Sequence, residues 1–146
     1  MVNIVGRGAP GVTNIINKKA YAKINLCLKI LGKLENNYHE IYTVMQRISL
    51  HDNIKLEITG GAKNIKIICS DESLANEQNI AYKAADLFFE NAEVSAALII
   101  NIEKNIPSQA GLGGGSSDGA AVLLALGFKY VSVIKNKKFE QVKIEL

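Results

Sequence analysis

Four glycines, Gly111, Gly113, Gly114 and Gly115, fall within five residues of the run 106–121, IPSQAGLGGGSSDGAA. Ser116, Ser117 and Asp118 follow at once, and then an Ala/Leu-rich segment. No other stretch of the chain restricts its fold as much. Glycine has no Cβ and accepts positive φ, so such a backbone can close around a small anion and point several N–H groups at it. A helix that begins directly afterwards adds its own free N–H groups and the positive end of its dipole. The context fits. Residues 94–106, VSAALIINIEKNI, have strand composition, and SSDGAAVLLALG reads as a short helix closed by Gly127. The serine hydroxyls suit a helix cap, a phosphate oxygen or a magnesium ion. The run is not a Walker P-loop, since no Gly-Lys-Ser/Thr occurs. It fits the dinucleotide fingerprint only with serine in place of the last glycine. A flexible linker would lack the strand before it and the helix after it.

The rest of the chain divides by period. Ala22, Ile24, Leu26, Leu28 and Ile30 alternate with Tyr21, Lys23, Asn25, Cys27 and Lys29. A period of two predicts a half-buried strand, with Lys23 and Asn25 on the face opposite the core. Residues 32–40, GKLENNYHE, read as a turn-rich loop, 41–50 as a second strand, His51–Asp52–Asn53 as a turn and 54–59 as another strand. A turn over 60–64 leads to a strand at 65–70. The first half is therefore expected to be mostly antiparallel with short connections. In 76–92 the spacing of Ile80, Ala84, Leu87 and Phe88 is helical, and Asn79 is placed to cap that helix. Residues 1–19 show no sustained period and read as an irregular leader. Residues 128–146 read as a divergent tail of two short strands around a lysine-rich turn. Strands first and strand–helix units later predict an α+β domain over 20–127.

Composition narrows the function classes. With 48% hydrophobic and 21% charged residues, the chain can bury a core. A net charge of +3 without a basic stripe does not argue for nucleic acid. Cys27 and Cys69 both lie in apolar strand-like runs without metal-ligand spacing, so both are expected to be buried free thiols in a reducing cytosol. The apolar runs fall far short of the roughly 20 residues of a membrane helix. The expectation is a cytoplasmic protein with neither a membrane nor a nucleic-acid partner.

Two segments carry a family resemblance. PSQAGLGGGSSDGAA resembles the phosphate-binding motif of the galactokinase, homoserine kinase, mevalonate kinase and phosphomevalonate kinase (GHMP kinase) superfamily. Far upstream, AYAKINLCLKILGKLENNYHEIYTVMQRISLHD (20–52) resembles the N-terminal signature of its branch acting on a cytidine-diphosphate polyol. That signature is an A-K-x-N-L strand, a G-Y-H-like turn and a strand ending in L-x-D. The likeness covers 20–126. It implies the ribosomal protein S5 domain 2-like fold and ATP-dependent phosphorylation of a small-molecule hydroxyl in isoprenoid precursor synthesis. ATP and Mg2+ would be the cofactors.

It also implies residue roles. Lys23 would be catalytic, facing the transferred phosphoryl group, and Asn25 would hold the polyol. Tyr38 would stack on the cytosine and His39 would read it. Asn37 stands where the family has glycine, and asparagine tolerates left-handed backbone. Asn79 and Lys104 would lie near the nucleotide, although Asn79 also reads as a helix cap and Lys104 as an exposed strand-end lysine. Pro107, Ser108, Gln109, Ala110, Gly111, Leu112, Gly113, Gly114, Gly115, Ser116 and Ser117 would wrap the triphosphate, with Ser117 on the metal. Asp118 reads as a first-turn acid favoured by the helix dipole. The family's later catalytic-aspartate segment has no counterpart after Leu126, so the expectation is an incomplete chain, inactive alone. Another small-molecule kinase of this family, or a non-catalytic nucleotide- or RNA-binding module of the same fold, stands as the alternative.

Overall fold

The structure, a computed structural model, describes residues 13–130. Four strands and two α-helices make two layers. The strands are β1 (Thr13–Lys33), β2 (His39–Gly60), β3 (Asn64–Cys69) and β4 (Ala96–Glu103), and the helices are α1 (Ile80–Ala92) and α2 (Gly114–Lys129). The sheet order is β1-β2-β4-β3. β1 pairs antiparallel with β2, β2 antiparallel with β4, and β3 parallel with β4.

The short turn after β2, residues 61–63, therefore does not make a hairpin. It leaves room for β4, which enters between β2 and β3 after α1. The composition of β4 explains why it takes the centre. Ala96, Leu98, Ile100 and Ile102 are all buried on the face that the helices cover, and the strand lies at the centre with both its edges paired, to β2 and to β3. They form the core with Ile54, Leu56 and Ile58 of β2, Phe89 of α1, and Val122, Ala125 and Leu126 of α2.

β1 and β2 are longer than sequence periodicity indicated. Residues 13–19 belong to β1 rather than to a leader, and His51–Asn53 continue β2 rather than turning it. Residues 1–12 and the expected tail strands lie outside the described residues. β4 pairs only with residues 53–60 of β2, so the far half of the β1–β2 ribbon runs past both the sheet and the helices. This overturns the expected burial of β1. Ala20 and Ala22 are buried, whereas Leu26, Leu28 and Ile30 are 62%, 56% and 63% exposed. Cys27 lies on this ribbon and is exposed too, while Cys69 is buried as expected and its thiol is pushed up by that burial.

Asn79 caps α1 as predicted, its Oδ1 accepting from the Ala81 N–H at 2.9 Å. α2 starts two residues before the expected Ser116 and passes through Gly127 to Lys129. The two helices touch at Gly119, where an added Cβ would lie 2.8 Å from Ile80 Cγ2 and 3.5 Å from Ile80 O. Gly119→Ala is thus expected to cost about 1–3 kcal/mol through overpacking. A urea midpoint equal to that of the parent chain would show that the helices part freely.

Candidate functional site

The glycine loop joins β4 to α2, and its geometry starts from a break in β1. The β1–β2 register shifts between Tyr21 and Lys23. A bulge re-aims the residues around it. Here the Lys23 N–H leaves the ladder and donates to the Leu112 carbonyl at 2.9 Å. The Lys23 ammonium donates to the Gly111 carbonyl at 2.6 Å and to Asn25 Oδ1 at 3.4 Å. Gly111 and Gly113 have φ of 70° and 73°, the left-handed region that glycine enters freely. An added Cβ on Gly113 would lie 3.3 Å from both Cγ and Cε of Lys23, so the lysine stem runs against this backbone.

Gly113 is the N-cap of α2, and no side chain caps the helix. The first intrahelical bond runs from the Ser117 N–H to the Gly113 carbonyl at 2.9 Å. The N–H groups of Gly114, Gly115 and Ser116 are left for an outside acceptor, as in any uncapped first turn. Ser116 and Ser117 are helix residues and do not serve as caps. The loop borders a cleft of about 360 Å³, shared with Asn79, Lys104 and Asp118. Pro107, Ser108, Gln109, Ala110, Leu112 and Ser116 line it with the four glycines, whereas Ser117 is not on its wall. A larger hollow of about 770 Å³ lies over β1, β2, β4 and the end of β3, and none of the loop's N–H groups reaches it.

Beneath the cleft is a charged cluster. The Lys104 ammonium pairs with Asp52 and, at 2.9 Å, with Asp118. Its side chain is 9% exposed, so Lys104 is not the exposed strand-end lysine of one reading. Nor is Asp118 a first-turn acid. It lies in the second turn of α2, buried, with Oδ1 lacking a hydrogen-bond partner. Burial pushes the Asp118 carboxyl up to about 6, the Lys104 pairing offsetting only part of that cost. Burial would raise Asp52 as well, but the Ile106 N–H, the Lys104 ammonium and the Asn105 N–H outweigh it and hold that carboxyl below its ordinary value. Burial would lower Lys104, and its two carboxylate partners raise it instead.

These shifts have opposite consequences for stability. Asp118 binds more protons folded than unfolded between its ordinary 3.8 and about 6, so its contribution falls as pH rises through that window. About two pKa units correspond to about 3 kcal/mol for this group. The Asp52 contribution is present above its ordinary value and is lost as pH falls through the lower folded one. Asp118→Asn is expected to remove the decline between about pH 4 and 6, read from urea midpoints across that range. A profile parallel to the parent's would contradict the assignment.

Tyr38 and His39 do not meet the loop in this structure. They lie at the tip of the β1–β2 ribbon, where His39 pairs with Lys33. That is ten residues beyond Lys23, or about 30 Å along a strand. Asn37 takes φ of 65°, the left-handed turn expected of it. The Leu34 N–H donates to the Tyr38 carbonyl at 2.7 Å, and Tyr38 is 67% exposed.

Asp52 was the residue that sequence reasoning missed, because a polar triple resembles a turn. Its parity carried the signal. Positions 52, 54, 56 and 58 share one strand face, and the other three are core residues. A carboxylate in that row needs a buried partner.

Comparison with known proteins agrees with this fold. Residues 79–144 match the family of GHMP kinases N terminal domain. A 4-diphosphocytidyl-2-C-methyl-D-erythritol kinase of Clostridium botulinum (strain Eklund 17B / Type B) is 49% identical over 110 residues, 74% of this chain and 38% of the relative. A kinase of the same name from Syntrophotalea carbinolica is 49% identical over 108 residues, 73% of this chain and 38% of the relative. The crystal structure of a 4-(cytidine 5'-diphospho)-2C-methyl-D-erythritol kinase superposes with a TM-score of 0.66 at 35% identity, over 83% of this chain and 45% of that one. The chain thus spans well under half the length of the relatives it matches. The glycine loop at the start of α2, the mixed sheet and these relatives place the chain in the GHMP kinase superfamily, as an N-terminal domain.

Proposed function

We propose that this domain is the nucleotide-binding half of a kinase that transfers a phosphoryl group from ATP to the 2-hydroxyl of 4-diphosphocytidyl-2-C-methyl-D-erythritol, a step of isoprenoid precursor synthesis. The observation that carries the reading is the uncapped start of α2, open to the cleft and lying beside the Lys23 ammonium. Phosphate oxygens are the acceptors that such a first turn and such a loop accommodate. The relatives' names supply the substrate. Lys23, released from the Gly111 carbonyl, would place its charge on the transferred group, where charge develops in the transition state. Asn25, within reach of the same ammonium, would hold the polyol.

Tyr38 and His39 would hold the cytosine, which asks the ribbon to bend towards the loop. Its register shifts at Asn25/Cys27 and Ile30/Gly32 are the places for such a bend. No group of three or more metal-ligating side chains occurs among the described residues. Mg2+ would then be carried in on the phosphates themselves, because the Ser117 hydroxyl expected to ligate it lies off the cleft wall. Bound there, the ion would neutralise charge on the phosphates.

Calorimetric titration with ATP and Mg2+ tests the binding half. The expected result is saturable binding weakened by Lys23→Met, and failure to bind at millimolar ATP would overturn it. The substrate is tested by joining this chain to the remainder of the Clostridium botulinum relative. Turnover of 4-diphosphocytidyl-2-C-methyl-D-erythritol, without turnover of homoserine or mevalonate, is expected.

A further inference from the structure

We propose that Asp52 is a positioning residue for the glycine loop: its carboxylate, fixed in the sheet, sets where the loop leaves β4 and where α2 begins. Both oxygens are used. Oδ1 accepts from the backbone N–H of Asn105 at 2.5 Å and of Ile106 at 2.8 Å, and Oδ2 accepts from the Lys104 ammonium. Three consecutive residues just beyond β4 are thereby tied to one side chain of β2. The neighbouring His51 carbonyl adds a fourth tie by accepting from Asn105 Nδ2 at 3.0 Å.

The placement reaches α2 by direct contact. A Cβ on Gly114 would lie 3.0 Å from Ile106 Cγ2 and 3.2 Å from Lys104 Nζ. The first residue of the helix therefore rests on the two side chains whose positions Asp52 sets. Lys104 also holds the helix from below through Asp118. Gly113, one residue earlier, rests on the Lys23 stem. Asp52 thus fixes one side of the loop and Lys23 the other. Asp52 lies beneath the cleft wall and acts only through these intermediaries, so it is no catalytic residue. A carboxylate suits the task because it accepts three bonds at once, two from backbone and one from a cation, and charge-assisted bonds resist opening.

The inference concerns the order of the loop in the ligand-free protein, and only its effect on affinity rests on the nucleotide reading above. The test is amide hydrogen exchange on the whole chain, comparing Asp52→Asn with the parent. Asparagine keeps the shape and one acceptor and loses the charge. The Asn105 and Ile106 amides, and the Lys23 and Ser117 amides that donate to the loop carbonyls of Leu112 and Gly113, are expected to exchange about ten- to a hundredfold faster in the variant, the range for loss of one charge-assisted hydrogen bond. The amides of Leu56 and Leu98 in the sheet are expected to keep their rates. Equal acceleration in sheet and loop would reduce Asp52 to a general stabiliser and overturn the proposal, as would no acceleration at all. Should the variant not fold, the parent decides. Asn105 and Ile106 amides protected to the level of Leu98 support the clamp, and rapidly exchanging ones overturn it. ADP titration separates the two readings. A parent that fails to bind ADP sinks the nucleotide reading and leaves the exchange result standing, while an affinity unchanged in Asp52→Asn despite faster exchange sinks only the effect of the clamp on binding.

Discussion

Lys104→Met is expected to lower the unfolding free energy by about 3–5 kcal/mol near neutral pH, the usual consequence of breaking a buried ion pair from one side. The size follows from what remains. Asp52 is fully buried and Asp118 nearly so, and methionine leaves two carboxylates facing each other without a cation. A domain's total stability is about 5–15 kcal/mol, so the variant should be close to the edge of folding. The same reasoning predicts how the loss responds to pH. Asp118 takes up a proton near 6 even in the parent, and without Lys104 it should do so more readily. The deficit should therefore shrink between about pH 7 and 5, and adding Asp118→Asn should recover part of it at neutral pH. Urea unfolding at both pH values measures this. A midpoint unchanged at neutral pH would mean that the cluster is hydrated rather than buried.

Gly113→Val should have the larger effect on binding. φ at Gly113 is 73°, and left-handed backbone costs a residue with Cβ about 1–2 kcal/mol before any contact is counted. The contact is with the Lys23 stem, 3.3 Å from the new Cβ, so either the lysine or the loop must move. Either shift spoils the approach of the ammonium to a bound phosphate. Nucleotide affinity is expected to fall at least about tenfold, a loss of about 1.4 kcal/mol. Gly127 is the control. It lies inside α2 with open space where a Cβ would go, so Gly127→Ala should stabilise the domain by up to about 1 kcal/mol and leave binding alone. Equal affinities for all three proteins would show that the approach of Lys23 to the loop is unimportant.

The strand–loop–helix unit was legible because its determinants are local. Glycines that permit positive φ, a strand-forming run before them and an Ala/Leu run after them are all read within one segment, 94–127. The Asn79 cap was legible for the same reason, being one side chain and one N–H two residues on. The antiparallel character of the first half was legible in outline from one alternating run, 21–30, and a strand-like run, 41–50, joined by a turn-rich loop.

Burial along β1 was not, because alternation states only that a strand has two faces. Whether Leu26 and Ile30 are covered depends on how far β4 and the helices extend, and they stop short. The place of β3 was also hidden. A short turn between two strands suggests a hairpin, and only the apolar character of the much later β4 supplies a better neighbour.

By itself, then, the sequence determined the α+β composition, the glycine loop before a helix, the residues of the phosphate motif and their likeness to one kinase superfamily. Tertiary structure decided which charges are buried together. Asp52, Lys104 and Asp118 stand 52 and 14 residues apart along the chain and meet only where β2, β4 and α2 converge. Their pairing turned a supposed turn residue, a supposed surface lysine and a supposed dipole acid into the support beneath the loop. The physical reason is that a hydrophobic period records which residues avoid water, whereas the partner of a buried charge is set by the fold that brings it within hydrogen-bonding distance.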